Sequence, residues 1–484
     1  MLVALALSPV VATGVARAAP YVLGPDLKVS GPSALTACPF GGSPDFAAAY
    51  DNTEVEPQVA VNPTNPAEMF GVTQQDRWPD GGARGLSSWR SANGGASWAK
   101  VADVPWSGCQ GGPTRFGRVT DPWVSYDGAG NAYFIGQPID SAALGISAIS
   151  ATTWNGASWR PPTILIEDEG SRGISNDKVS ITGDPTRAGF AYATWLRFSH
   201  PAQGTNSENA DFHSFAFRGY PMISRTTNAG ASWSSPVPMR KSNTYFQGNQ
   251  IAVAPDGTLY NVAANLFTGA QGGGQHVYES VSRSSDAGKT WSAPVRIAPL
   301  GTTQLFVPDD GFPIRAEDYI PDIAIDPTNG DIYVVWADGL GTALNKVVLA
   351  KSTDRGRHWS LQVVSKGGPN SQAYNHAVEV TEDGTVVVTY WDDRNNVLGD
   401  GIATTDQWIT HSHDGGQTWL EQHLHGPFDH YQAPISFFAP DVPRGLFLGD
   451  YMGLETISGN DVITFFTSTI TDGADAHAIR ADHP

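Results

Sequence analysis

The segment Ser284-Ser-Asp286-Ala-Gly288-Lys-Thr290-Trp291 recurs in altered form at least four more times, and no other feature constrains the fold as strongly. Fuller copies are Ser352-Thr-Asp354-Arg-Gly356-Arg-His-Trp359 and Ser412-His-Asp414-Gly-Gly416-Gln-Thr418-Trp419. Copies ending at Trp98 and Trp233 carry Asn93 and Asn228 in place of the Asp, and a worn sixth, Thr152 to Trp159, keeps Gly156, Ser158 and the Trp. Successive tryptophans lie roughly 60 to 75 residues apart, near the length of one four-stranded blade with its loops. Such a period overrides the two or three ordinary domains that 484 residues would otherwise suggest. In each copy Asp or Asn accepts hydrogen bonds from its own turn, Gly allows a positive φ, and Trp wedges between neighbouring sheets. The box is a hairpin staple, and none of its residues is assigned to chemistry.

Ahead of each box stands a second repeat: an apolar strand, a Gly/Asn/Asp/Pro turn and another apolar strand. Clear copies are Gln250 to Tyr260 around Asp256-Gly257, Asp322 to Tyr333 around Asp326 to Gly330, and Ala377 to Tyr390 around Glu382-Asp383-Gly384. These read as the inner two strands of each blade. Box and strand pair together define six blades, roughly 54–104, 119–166, 174–240, 247–298, 318–365 and 373–424. A last unit without a box runs from Leu446 through the Ser458 to Asp461 turn to Phe466, with Ala476 to Arg480 as a third strand. The expected fold is therefore all-β, a propeller of seven four-stranded antiparallel blades, with six blades plus a terminal extension as the alternative. Residues before Glu54 could complete the ring, and closure would leave few open sheet edges.

Composition narrows the partners. A formal net charge of −19 repels nucleic acid and anionic membranes. It also disfavours a long polyanionic substrate unless a local basic pocket captures one end. Met1 to Ala19 is apolar and ends in Ala16-Arg17-Ala18, an A-x-A cleavage pattern, so residues 1–18 read as a signal peptide, 19–53 as an N-terminal segment and 54–484 as the propeller. No later run approaches the ~20 apolar residues of a membrane span. Cys38 and Cys109 fit one disulfide in an oxidising compartment, with two free thiols as the alternative. A secreted monomer is expected.

Strand order sorts the faces. The starts of the innermost strands and the loops after the second strands open on one face, and the boxes lie on the other. At the innermost starts stand Glu54 and Glu56, Asp121, Asn176-Asp177-Lys178, Asn249, Asp322, Asn375-His376 and Asp450-Tyr451. The second-strand loops add Gln74 to Trp78 with Asp76 and Arg77, Trp195 and Arg197, Trp336 and Asp338, and Trp391 to Arg394. Carboxylates with a rim of Trp suit a sugar, whose C–H faces stack and whose hydroxyls need acceptors. Each polar residue taken singly can instead cap a loose backbone N–H. Crowded carboxylates raise one another's pKa and can leave one protonated for acid work. A Ca²⁺ ion could instead neutralise the ring, but no D-x-D-x-D-G loop is present, so neither a metal nor a cofactor is assigned.

The box repeats resemble the Asp-box, or bacterial neuraminidase repeat, of the sialidase-like β-propeller superfamily. That resemblance implies an exo-acting glycoside hydrolase with three arginines for a substrate carboxylate, an Asp acid/base on a first-blade loop, and a Tyr nucleophile assisted by Glu. Tyr451, opening the last blade, is similar in setting to that Tyr, and Asp76 (or Asp80) to that Asp. Arg77, Arg197 and Arg394 could form the substitute triad, with Asp121, Asp177, Asp322 and Trp391 lining the substrate site. The family's Phe/Tyr-Arg-Ile-Pro motif is replaced by Glu56-Pro57-Gln58 in the first blade, and Tyr319-Ile320-Pro321 resembles it with the Arg missing and Arg315 displaced. His376 near Tyr451 opens a second possibility, a polysaccharide lyase in which a His/Tyr pair abstracts the proton α to a uronate carboxylate. A glycan-binding scaffold without turnover is the third.

Overall fold

The computed structural model describes residues 19–43, 45–140, 145–169, 173–199, 218–240, 245–266, 277–471 and 473–484. The expected signal peptide, 1–18, lies outside the described residues. Among the described residues the strands group into seven antiparallel meanders. The first runs Glu54–Val61, Met69–Arg77, Ala83–Ser91 and Ala99–Lys100; the second Arg118–Tyr126, Ala132–Ile139, Ile146–Thr153 and Thr163–Glu169. The third to sixth open with Ile174–Gly183, Tyr245–Val253, Asp322–Ile325 and Ala373–Val380 and repeat the same order outward. The last consists of Gly453–Ser458, Asp461–Ser468 and Asp475–Asp482, against which the early strands Val22–Leu23 and Leu27–Lys28 pair antiparallel. Opening strands of successive meanders touch one another, and the last touches the first, so the sheets form a closed β-propeller ring.

Packing explains the ring. Most hydrophobic clusters are shared by two neighbouring sheets, and one larger cluster joins the extra sheet to the first, sixth and last sheets. Phe70, Val72, Val124 and Phe134 join the first and second. Val335, Leu349, Val378 and Val388 join the fifth and sixth, and Val59, Met69, Ile463 and Phe465 close last onto first. The box tryptophans Trp98, Trp159, Trp291, Trp359 and Trp419 each pack into such a wedge, as large rigid rings should. The turn behind each Trp is stapled as its residue types dictate. Asp286 Oδ1 accepts from the N–H of Lys289 (3.0 Å) and Thr290 (2.9 Å), and Ser284 Oγ accepts from Gly288 N–H at 3.0 Å. Cys38 and Cys109 form a disulfide, tying the N-terminal segment to the link between the first two sheets. No helix among the described residues is long and apolar enough to cross a membrane.

One element departs from the repeat. Leu305–Phe306, Pro313–Arg315, Val442–Phe447 and Ile435–Ala439 form an extra four-stranded sheet from inserts before the fifth and last meanders. Leu446, expected to begin the last blade, belongs to this sheet, and the blade's innermost strand starts at Gly453. The sheet is short and joins its two inserts by a parallel pairing, Ile314 to Leu446, which no local periodicity announces.

Candidate active site

The innermost strands aim their polar residues through a repeated backbone device. Five of them carry a β-bulge near the start, at Val55/Gln58, Thr120/Trp123, Asp177/Ser180, Gln247/Gln250 and Tyr374/Ala377. Within each bulge one residue has a left-handed φ: Glu56 (55°), Asp121 (54°), Lys178 (50°), Gly248 (69°) and Asn375 (45°). A non-glycine residue there costs on the order of 1–3 kcal/mol and persists where the surroundings over-determine it, which favours a functional reading. The extra sheet adds Arg315 and Arg444, and the link that follows it Glu317, to the same pole.

These residues converge. Lys178 Nζ is hydrogen-bonded to Asp450, lies 3.3 Å from Glu317 and 3.9 Å from Glu56. Arg315 reaches Asp450 at 2.8 Å and Glu317 at 3.5 Å, and Arg444 donates to Glu317. Tyr319 and Gln247 also donate to Glu317, at 3.1 and 3.2 Å. Burial opposes ionisation of Asp450, yet Arg315 and Lys178 outweigh it and hold the carboxyl well below the usual range. Glu56 goes the other way: burial, then Asp121, push it up to about 8, and the same two causes push Asp177 up to about 7. Glu56, largely protonated, and Asp177, partly so near neutral pH, therefore stand beside the ionised Asp450 and Glu317, a separation that allows acid and base roles at one pH.

Arg77 is the exception in this network. It is buried, donates from Nη1 to Gln74 Oε1 at 2.8 Å, and has no carboxylate salt bridge among the described residues; its buried Nε has no partner there. Its guanidinium and that of Arg315 both lie against the Phe447 ring, 4.2 and 4.1 Å from the centroid. Burial and the neighbouring Arg315 lower its pKa to about 10. A buried cation without a paired anion is costly. Four cations thus gather at the pole of a chain whose net charge is −19.

A pocket of about 510 Å³, counting space open to solvent, lies between the innermost strands and borders the charged residues. Trp123, Lys178, Asp322, His376, Asp450 and Tyr451 are among its lining residues. Tyr451 packs on Trp123 at 5.0 Å and donates its hydroxyl to Pro122 O at 3.0 Å. Burial, then Glu56, raise its pKa well above the usual phenol value. His376 Nε2 lies 3.0 Å from Ile320 O, and a carbonyl only accepts, so the proton sits on Nε2 and Nδ1 keeps a lone pair. Burial lowers its pKa to about 4, which keeps the imidazole neutral.

Of the residues named from the sequence, Tyr451, His376 and Asp322 line this pocket, and Asp121, Asp177 and Arg77 belong to the charged layer. Asp322 does backbone work as well, accepting from Val378 N–H at 2.7 Å. The others stand apart. Asp76 is fully buried and accepts from Asn52 N–H (2.8 Å) and Ser33 Oγ (2.7 Å), with Arg84 at 3.5 Å, which makes it a fastener of the N-terminal segment. Arg197 forms a two-pronged pair with Asp168 at 2.8 and 2.7 Å. Arg394 is bound to Asp392 and Glu421 over the Trp408 ring. Trp391, expected on a sugar-binding rim, is 1% exposed and packs with Tyr374 and Phe428 of its own sheet and with His430 in the turn that follows it. The arginines that do join Arg77 are Arg315 and Arg444. Sequence reasoning noted Arg315 as displaced and missed Glu317 and Arg444. The charged pair Arg315 and Glu317, just before an innermost strand, was the available signal.

Comparisons with known proteins follow the same lines. No protein-family model matches the chain. A sialidase of Bacteroides fragilis (strain YCH46) is 26% identical over 211 residues, 38% of this chain and 35% of that protein, so the match spans about a third of the curated relative. Among solved structures, the Hadza microbial sialidase Hz136 superposes with a TM-score of 0.47 at 13% identity, covering 85% of this chain and 76% of that one. An α-L-arabinanase of Penicillium chrysogenum gives 0.46 at 11%, covering 95% and 98%. Trypanosoma rangeli sialidase gives 0.43 at 12%, covering 79% and 56%. The chain is similar to sialidase-like β-propellers, in agreement with its box repeats.

Proposed function

We propose that this chain is a secreted, seven-bladed, carbohydrate-active propeller, an exo-acting glycoside hydrolase of sialidase-like form that takes an acidic sugar. The observation that carries this reading is the buried, unpaired guanidinium of Arg77 beside Arg315 and Arg444. A ligand carboxylate there would supply the missing counter-charge through short charge-assisted hydrogen bonds. Tyr451 is the nucleophile or orienting phenol. A phenol of raised pKa reacts only when a base takes its proton; Glu56, the neighbour that acts most strongly on Tyr451, is held protonated near neutral pH and would take that proton only in the fraction that ionises as the pH climbs towards 8. Asp177, which burial pushes up to about 7 and so keeps partly protonated near neutral pH, is the candidate acid for the leaving oxygen. The test is a screen of the purified protein against sialosides, arabinosides and uronate polymers with reducing-end detection. Release of an acidic monosaccharide supports the reading, and an inert protein that still binds acidic sugars would leave only the binding scaffold.

One observation favours a second reading. His376, neutral and with a free Nδ1 lone pair, lines the same pocket as Tyr451. That pair suits proton abstraction next to a uronate carboxylate. An unsaturated product absorbing in the ultraviolet would select lyase over hydrolase.

A further inference from the structure

Away from the pole, His411, His413 and His483 each offer a ring nitrogen, and the three nitrogens lie within 4.8 Å of one another. They come from two places in the ring. His411 and His413 stand at the end of the strand Thr404–Ser412 in the sixth sheet, and His483 follows the last strand, Asp475–Asp482. The early residues Ala19 and Tyr21 cover the group. Tyr21 packs edge-on against His411 and His483, at 4.7 and 5.6 Å, and its buried hydroxyl has no partner among the described residues.

The proton positions follow from the hydrogen bonds. His411 Nε2 lies 3.1 Å from Ala19 O, so it donates, and the lone pair is on Nδ1, which is buried and unpartnered among the described residues. Thr385 Oγ1 spends its proton on Asp383 at 2.7 Å and so accepts from His413 Nδ1 at 2.8 Å, leaving the lone pair on His413 Nε2. That lone pair faces His483 Nε2 at 3.1 Å. Bonds of roughly 2.0–2.1 Å in tetrahedral geometry set neighbouring ligand nitrogens roughly 3.3 Å apart. The outer hydrogen bonds to a carbonyl and to a carboxylate-anchored hydroxyl are the kind that orient metal-bound imidazoles.

We propose that His411, His413 and His483 bind a transition-metal cation of the Zn²⁺ type, which clamps the sixth sheet to the last sheet and the N-terminal segment. Three neutral imidazoles select borderline metals over Ca²⁺ or Mg²⁺. Asp383 and Asp414 add favourable charge nearby.

Calorimetric titration of the tag-free full chain with ZnCl2, with thermal unfolding measured alongside, tests this. We expect one Zn²⁺ per chain and a Tm that rises with Zn²⁺ and falls back with EDTA. His413→Ala and His483→Ala, both outside the core, lose the binding and the shift while keeping the metal-free Tm. Thr385→Val weakens binding roughly tenfold. His358→Ala, an exposed histidine bonded to Asp354, leaves the titration unchanged. Absence of uptake by the parent chain, or equal uptake by the parent and both histidine variants, overturns the proposal.

Discussion

At the scale of single residues, buried cations at the pole divide into those that are paired and one that is not, and substitution should separate them. Lys178→Met takes from Asp450 and Glu317 one of the two cations they share, Arg315 being the other, and breaking buried pairs in this way costs up to about 3–5 kcal/mol. Arg77→Met removes a charge that pairs with no carboxylate, so its Tm should stay level or rise while affinity for acidic sugars is lost; thermal unfolding of the two variants gives the comparison. Tyr451→Phe should cost about 1 kcal/mol, the worth of the bond to Pro122 O. The same change should lower turnover by roughly 100-fold or more. An equally active Phe variant removes Tyr451 from the mechanism. Glu56 provides a pH signature. Its folded value lies above the unfolded one, so its stabilising effect is complete below about pH 4.5 and is lost as the pH climbs through about 8. Across that window the Tm of the parent chain should fall relative to Glu56→Gln, and parallel curves would contradict the buried, protonated state of this carboxyl.

At the scale of elements, the box turn and the bulged strand do different work. Asp286→Ala removes the acceptor for two backbone N–H groups and should lower stability by about 1–2 kcal/mol with the rate per folded molecule unchanged. Chemical denaturation and specific activity read the two effects separately. Box and strand pair were legible in the sequence because both are local: turn residues at fixed offsets, then period-two apolar strands. That Tyr451, His376, Asp121 and Asp177 gather at one pole was legible because they stand at or just before the starts of innermost strands, whose order follows from the repeat. Trp391 and Arg394 stand away from the pocket because residues at the end of a second strand can turn into their own sheet's core or an outer ion pair as readily as to the axis. Glu317 and Arg444 were missed because they lie on inserts that pair across 127 residues, beyond any local pattern.

At the scale of the whole molecule, the ring brings stretches far apart in sequence to one pole and closes through the early strands. The Cys38–Cys109 bridge spans 71 residues, so Cys38→Ser should lower stability by up to about 4 kcal/mol, seen as an earlier denaturation midpoint under oxidising conditions only. The central claim is that the pole built by Arg77, Arg315 and Arg444 receives the acid group of a sugar. Its most direct test compares kcat/KM for a fluorogenic sialoside, a glucuronide and a neutral arabinoside in the parent chain and in Arg77→Ala. We predict a preference for an acidic substrate of roughly 100-fold or more that disappears in Arg77→Ala while its Tm is retained. A parent chain that hydrolyses the neutral arabinoside as well as either acidic sugar, or a preference that survives in Arg77→Ala, would contradict it.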